Sequence, residues 1–224
     1  MTAIAIDGPA GAGKSTIARA VAKKLGYIYI DTGALYRAIG LAVLEQGGDT
    51  TDAEVVVPAL EQMQIQIRFL NGEQHVFLNG RDVSSDIRRN EVSMAASNVS
   101  AIPAVREFLF DLQRSFAEKN NVVMDGRDIG TVVLPHAQIK LFLTATPEER
   151  AQRRFLELTE KGQKVEYENL LDEVRQRDYN DSHRAIAPLK KADDALLVDT
   201  TGNEMQESID QILKIIEKRL RDAV

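Results

Sequence analysis

The 224-residue chain carries a formal net charge of −6 and contains 44% hydrophobic and 28% charged residues, the balance of an ordinary globular protein. It has no cysteine, which excludes disulfides and thiolate metal sites. It also lacks a long uninterrupted apolar stretch and a leader with a basic and an apolar region, so we expect no membrane span, no export and a cytoplasmic location. The acidic balance argues against nucleic acid as a partner.

The first distinctive segment is IAIDGPAGAGKST, residues 4–16. An apolar run precedes its glycine-rich turn, and Ile17 and Val21 follow at helical spacing. The spacing fits GxxxxGKS, in which backbone N–H groups surround phosphate oxygens, Lys14 reaches the outer phosphates and Ser15 is offered to magnesium. The positive end of the following helix would also face the anion. Glycines alone would indicate only a loop, but the lysine and the hydroxyl favour a nucleotide phosphate site.

Strand-like and helix-like segments alternate along most of the chain. The predicted strands are IAIDG, YIYID, NVVMDG, IKLFLTA and ALLVDTT, which begin at residues 4, 27, 121, 139 and 195. The helices predicted after four of them cover residues 14–25, about 34–46, 147–161 and 204–221. This alternation predicts an α/β fold with five parallel strands and helices on both faces.

Aspartates end three of the predicted strands. Asp7, Asp31 and Asp125 each lie at the carboxyl end of an apolar run. Open α/β sheets bind their ligands at this edge, so the recurrence suggests a binding site. Helix caps and turns explain single aspartates equally well.

Residues 62–83 depart from the α/β rhythm. Apolar and polar residues alternate with period two there, and Asn71-Gly72 and Asn79-Gly80 are turn dipeptides, so we expect an antiparallel hairpin or three short strands. Helices should follow over about 85–99 and 103–119. Whether this small β lobe binds a ligand or is only structural stays open.

Arginines and acids cluster after two of the predicted strands. Arg37 lies on the helix after the second strand, one turn beyond Gly33. The segment DGRD places Arg127 just after Asp125, whose carboxylate is positioned to hold magnesium, directly or through water. A solvated helix face is the plain alternative for Arg37.

Two later helices repeat the pattern. Arg150, Arg153 and Arg154 share one face of the first, where nearby glutamates offer intrahelical ion pairs as the plain alternative. Arg177, Asp181 and Arg184 are spaced to share one face of the second. The polar segment TEKGQKVEYE between the helices fits either a mobile flap over an active site or a surface loop.

Phosphoryl transfer between nucleotides explains such a concentration of arginines. The two substrates are anions that repel, and the moving group spreads charge over its oxygens, so the protein must supply positive charge. Arginine binds phosphate through two parallel hydrogen bonds and stays ionised. An acceptor phosphate is already mostly a dianion at neutral pH, so no catalytic base is needed. We assign no role to His75, His136 and His183.

Several segments resemble the bacterial cytidylate kinase family, in order and over nearly the whole chain. They are GPAGAGKST, DTGALYRA, MDGRDIGTVVLPHA, ERAQRR and RDYNDSHRAIAPLKKADDA, of which DGRDIGT and RAIAPL are the most discriminating. The resemblance implies a P-loop NTPase three-layer fold with a five-stranded parallel sheet, a small antiparallel β insertion in the monophosphate-binding region and a helical lid. It implies a kinase of pyrimidine nucleotide metabolism that transfers the γ-phosphoryl group of ATP, with Mg²⁺, to CMP or dCMP.

The resemblance also assigns residues to these roles. The ATP phosphates would be bound by Gly8, Pro9, Ala10, Gly11, Ala12, Gly13, Lys14, Ser15 and Thr16. CMP would be bound by Thr32, Arg37, Ser97, Arg106, Arg127, Asp128, Arg177, Asp181 and Arg184. The catalytic residues would be Lys14, Arg127, Arg177 and Arg153, and the metal ligands Ser15 and Asp125.

One cytidylate kinase domain over residues 1–224 follows from the same resemblance. Its parts would be a core (1–35, 120–147 and 185–224), a monophosphate-binding region (about 36–119, with the insertion at about 62–83) and a lid (about 148–184). We expect a monomer whose only partners are its small-molecule substrates.

Two other functions stay open. The chain could phosphorylate another small acceptor, such as shikimate or UMP. It could instead be a non-catalytic nucleotide switch or assembly protein, but then Arg127, Arg177 and Arg184 would have no explanation.

Overall fold

A computed structural model describes residues 1–222, which form eight strands and eight α-helices. The strands are β1 (Ala3–Asp7), β2 (Ile28–Asp31), β3 (Ile65–Leu70), β4 (Glu73–Leu78), β5 (Arg81–Asp82), β6 (Val122–Gly126), β7 (Ile139–Thr144) and β8 (Leu196–Asp199). The helices are α1 (Lys14–Leu25), α2 (Thr32–Glu45), α3 (Ala53–Leu60), α4 (Asn90–Ser100), α5 (Pro103–Lys119), α6 (Pro147–Glu160), α7 (Tyr167–His183) and α8 (Met205–Asp222). No helix among these residues is both long enough and apolar enough to cross a membrane.

The predicted five-stranded parallel sheet is confirmed, with the order β2-β6-β1-β7-β8. β1 lies at its centre, where Ile4 is in register with Val123 of β6 and Ile139 of β7. All five residues of β1 are buried, as expected for a central parallel strand whose two faces are both covered. The carboxyl ends of β1 and β6 are adjacent because Asp7 is in register with Gly126.

The chain divides into two compact units, Met1–Tyr29 with Asn120–Val224 and Ile30–Lys119. In the first unit, α1 and α8 supply apolar residues to one core cluster with the strands. Val21 of α1 and Ile212 and Ile216 of α8 are completely buried in that cluster, together with Ile4 and Ile6 of β1. The four-residue spacing of the two isoleucines of α8 places them on one helix face, which explains why that face packs inward.

The second unit contains α2 to α5 and the antiparallel sheet β3-β4-β5. Its core includes Leu35 and Ile39 of α2 and Leu109 of α5, all completely buried. α2 and α4 approach closely because Gly40 has no side chain: a Cβ placed there would lie 2.9 Å from the Cβ of Ala95.

The three-stranded lobe confirms the prediction for residues 62–83. Both Asn-Gly turns have two successive residues with positive φ: 54° and 82° at Asn71 and Gly72, and 50° and 82° at Asn79 and Gly80. Hairpin turns whose twist matches that of the flanking strands need this conformation, which asparagine and glycine tolerate best.

The helices differ from the prediction in three places. α2 begins at Thr32 because the Asp31 carboxylate accepts a hydrogen bond from the N–H of Ala34 and caps the helix. The helix expected at about 85–99 is broken at extended Arg89, which separates a 3₁₀ turn from α4. Helix α3 was not expected, since its eight residues are too few to show a clear periodicity.

Candidate active site

The loop between β1 and α1 has the strand–loop–helix context that its sequence predicted. Gly8 has φ +146°, and a Cβ at this position would lie 1.9 Å from the carbonyl oxygen of Leu143, so only glycine fits. Gly13 adopts φ 80° as the N-cap of α1. The loop therefore delivers backbone N–H groups and a helix N-terminus to one place, which is the arrangement of a phosphate site.

Lys14 is buried at the first position of α1. Its Nζ donates a hydrogen bond to the carbonyl oxygen of Pro9 at 2.7 Å. Burial lowers the pKa of Lys14 well below its usual value, and the charge of Arg127 lowers it further, while Asp125 opposes the shift. Bound phosphates would favour the charged ammonium, so the lysine is placed to gain from an anionic ligand.

A hydroxyl and a carboxylate meet beside this lysine. Ser15 Oγ donates a hydrogen bond to Asp125 Oδ2 at 2.9 Å, and Tyr29 donates one from its hydroxyl to Asp125 Oδ1 at 3.0 Å. Magnesium prefers oxygen ligands and is often held by one or two protein groups together with substrate phosphates and water. The pair fits such an ion, although residues 1–222 contain no cluster of three or more acidic, histidine or cysteine side chains that could hold a metal.

Arg127 and Asp181 bring the loop after β6 and helix α7 together. Arg127 Nε donates a hydrogen bond to Asp181 Oδ2 at 2.9 Å. Burial by itself would raise the pKa of Asp181, but the charges of Arg127 and Arg177 bring it below its usual value. Arg127 and Arg177 also act on the pKa of Lys14, so these charges lie in one electrostatic cluster.

Arg184 forms a second buried pair, with Asp128. Its Nη2 lies 3.4 Å from Asp128 Oδ1, and both side chains are almost inaccessible to solvent. The sequence predicted that Arg184 lies on the same helix face as Arg177, which is wrong because α7 ends at His183. Arg184 has extended backbone, and its Nε donates to the carbonyl oxygen of Ala187 at 2.6 Å, so a turn rather than a helix positions the guanidinium.

The three arginines of α6 have different partners although the sequence placed them on one face. Arg153 donates to the carbonyl oxygen of Thr200 at 2.8 Å. Arg154 pairs with Glu173 at 3.4 Å. Arg150, which was not assigned a role, is buried and donates to the carbonyl oxygen of Ala10 in the phosphate loop at 3.1 Å.

Asp7 has a structural role that its strand-end position did not specify. Its two carboxylate oxygens accept hydrogen bonds from the backbone N–H groups of Ile129 and Gly130, at 2.8 and 2.7 Å. These two residues directly follow Arg127 and Asp128, so Asp7 fixes the backbone immediately after that pair. Burial raises the pKa of Asp7 to about 6, against the effect of the two N–H donors.

The predicted residues of the second unit lie on three of its helices. Arg37 of α2 donates to the carbonyl oxygen of Ile87 at 3.4 Å. Arg106 of α5 donates to the carbonyl oxygen of Ser100 at 3.3 Å, and its guanidinium lies 5.6 Å from the ring centre of Tyr36. The other two predicted residues, both buried, are Thr32 of α2 and Ser97 of α4.

A parallel sheet whose central strand leads into a phosphate loop, with a buried lysine and a serine–aspartate pair beside it, defines a P-loop nucleotide-binding protein. The family model described as cytidylate kinase matches residues 4–218. The chain therefore belongs to the cytidylate kinase family, which confirms the resemblance seen in its sequence.

Curated relatives match almost from end to end. The chain is 53% identical to the cytidylate kinase of Caldicellulosiruptor saccharolyticus, covering 99% of this chain and 98% of the relative. It is 50% identical to the cytidylate kinase of Bacillus subtilis, with 97% of each chain covered. The cytidylate kinase of Lactobacillus johnsonii is 48% identical, with 98% of this chain and 95% of the relative covered.

Proposed function

We propose that this enzyme transfers the γ-phosphoryl group of ATP directly and in line to CMP or dCMP, which yields CDP or dCDP. Membership of the cytidylate kinase family carries this proposal. The cluster of Lys14, Arg127, Arg177 and Asp181 supports it, because a kinase for phosphorylated acceptors must neutralise two anions at once.

On the donor side, residues Gly8 to Thr16 bind the ATP phosphates. Lys14 neutralises charge on the outer phosphates, and Arg153 approaches ATP from α6. Ser15 and Asp125 would hold Mg²⁺, the aspartate directly or through water. The hydroxyl of Tyr29 donates a hydrogen bond to the carboxylate and orients it. When bound, the ion neutralises phosphate charge and fixes the phosphate geometry.

On the acceptor side, arginines bind the monophosphate and other polar groups bind the nucleoside. The proposed phosphate ligands are Arg37, Arg127 and Arg177. Asp181 is the proposed acceptor of a hydrogen bond from the sugar. The proposed ligands of the base are Thr32, Ser97, Arg106, Asp128 and Arg184. Since the acceptor phosphate has a second pKa of about 6, its oxygen attacks without a protein base.

An ADP-release assay over a panel of acceptors tests this proposal. With ATP and Mg²⁺, CMP and dCMP should give the highest kcat/KM, ahead of UMP, AMP and shikimate. Turnover of shikimate or AMP with none of CMP would refute it. A measurable ATP affinity with no turnover of any acceptor would instead favour a nucleotide switch.

We further propose that the enzyme acts as a cytoplasmic monomer and that residues 148–184 form its lid. The helical hairpin of α6 and α7 supports the lid assignment, because a polar loop joins the two helices. Amide exchange over residues 147–165 should slow when ATP binds, and identical protection with and without nucleotide would contradict a lid. Light scattering of the purified chain tests the monomer.

A further inference from the structure

Arg150 is a buried cation in which each guanidinium nitrogen donates a hydrogen bond. It lies in the first turn of α6 and is only 2% exposed. Its Nε donates to the carbonyl oxygen of Ala145 at 2.9 Å, and its Nη1 donates to that of Ala10 at 3.1 Å. Because a buried charge is costly unless it is paired and hydrogen-bonded, this guanidinium holds its neighbours in one arrangement.

Asp178 of α7 completes the site. Arg150 donates from Nη1 to Asp178 Oδ1 at 2.9 Å and from Nη2 to Oδ2 at 2.5 Å, a bidentate pair. Asp178 is the immediate neighbour of Arg177 and lies on the same helix as Asp181. One guanidinium thus binds both the phosphate loop and the helix that carries two of the proposed CMP ligands.

The backbone of the phosphate loop also lies directly against this side chain. A Cβ built on Gly11 would lie 3.2 Å from the Cβ of Arg150. Movement of the loop at Ala10 and Gly11 would therefore displace Arg150, and through it Asp178. Close packing transmits such displacements because protein interiors leave little free space.

We infer that Arg150 and Asp178 are positioning residues that couple ATP binding to CMP binding. The inference rests on the proposed function, which places ATP in the loop and CMP at Arg177 and Asp181. Phosphates bound in the loop order its backbone, including the Ala10 carbonyl that holds Arg150. Arg150 then fixes α7 through Asp178, so CMP meets ligands that are already ordered and binds more tightly. The coupling is reciprocal, and CMP strengthens ATP binding by the same factor.

Other ion pairs between α6 and α7 provide a matched control. Arg154 pairs with Glu173 at 3.4 Å, and Arg175 pairs with Glu148 at 2.8 Å. Both pairs link the two helices, and neither pair includes a residue of the phosphate loop. If the coupling depended only on ion pairs between α6 and α7, removal of Arg154 would weaken it as much as removal of Arg150.

Calorimetry of the full chain measures the coupling. CMP is titrated into the wild type, R150M, D178N and R154M. Each titration is done with and without Mg²⁺ and saturating AMP-PNP, which is a non-hydrolysable mimic of ATP. In the wild type and R154M, AMP-PNP should lower the Kd of CMP by at least about fivefold. In R150M and D178N the factor should fall below about twofold, and the CMP-induced change in AMP-PNP affinity should fall equally.

The titrations distinguish failure of the inferred coupling from failure of the proposed function. Wild-type coupling retained in D178N, loss of coupling in R154M, or no coupling in the wild type would each overturn the inference while leaving CMP as the acceptor. Absence of CMP binding to the wild type under both conditions would refute the proposed function itself. D178N keeps the bonds of Arg150 to the two carbonyl oxygens, so it still decides the matter if R150M does not fold.

Discussion

Arg127 and Asp181 form a largely buried ion pair, Nε to Oδ2 at 2.9 Å, although 54 residues separate them in the chain. Each is a proposed ligand of CMP, and the charge of Arg127 lowers the pKa of Asp181, which burial alone would raise. Arg177 adds a second positive charge to the same environment. The proposed acceptor site therefore carries its charges before any substrate arrives.

Arg127→Met and Arg177→Met should each lower kcat with CMP by about 10²–10³-fold, because each removes a donor aimed at transferring or accepting phosphate oxygens. The Kd of ATP should change by no more than about threefold, since neither residue belongs to the phosphate loop. Steady-state kinetics and ATP titration measure the two effects. Near-normal turnover in both variants would contradict the acceptor assignment.

Loss of stability must be separated from loss of catalysis in the first of these variants. Arg127→Met removes the Nε–H donor and the positive charge that Arg127 supplies to buried Asp181, which should cost about 3 kcal/mol of unfolding free energy. Adding Asp181→Asn removes the buried carboxylate charge and should recover part of that stability but none of the activity. Urea unfolding and kinetics of the double variant test this.

The magnesium assignment predicts a change in metal dependence. Ser15→Ala should raise the Mg²⁺ concentration that gives half-maximal activity by about tenfold, because it removes a proposed ligand. Tyr29→Phe should raise it less, since it removes only the hydroxyl that orients Asp125. ADP affinity measured in EDTA should stay the same in both. An unchanged Mg²⁺ dependence in Ser15→Ala would contradict this ligand.

Asp7 should make stability depend on pH. Its pKa is about 6 in the folded chain against an ordinary value of 3.8, so its stabilising contribution is complete well below pH 3.8 and is lost as the pH rises through 6. Asp7→Asn does not titrate. The unfolding free energy of the wild type should therefore fall by about 2.4 kcal/mol relative to this variant between pH 4 and 7. Parallel pH profiles in urea unfolding would disprove the shift.

Arg184→Met should raise the KM of CMP by at least about tenfold and change kcat much less, because the base is distant from the reacting phosphates. The KM of ATP should not change. Arg175→Met is the control, since Arg175 is an exposed arginine of the neighbouring helix α7 whose partner is Glu148. Equal KM values for CMP in the two variants would exclude Arg184 from the base pocket.

The sequence correctly predicted features whose conformation depends on residues close together in the chain, such as the phosphate loop and the hairpin turns. The phosphate loop was predictable because glycine, lysine and serine at fixed spacing have one dominant use, and the Asn-Gly turns because few residues tolerate two successive positive φ angles. Helix α3 was missed since eight residues around Pro58 give little periodicity. Arg184 was placed on a helix face because spacing alone does not show where the helix ends.

The sequence by itself determined the α/β order, the phosphate loop and the residue types that recognise phosphate. Tertiary structure decided the pairing of Tyr29 with Asp125, Asp7 with Gly130, and Arg150 with Asp178, across 96, 123 and 28 residues. The physical reason is the range of the forces. Propensity and periodicity act over a few residues, whereas a buried charge takes as its partner whichever group the packed sheet and helices bring within about 3 Å.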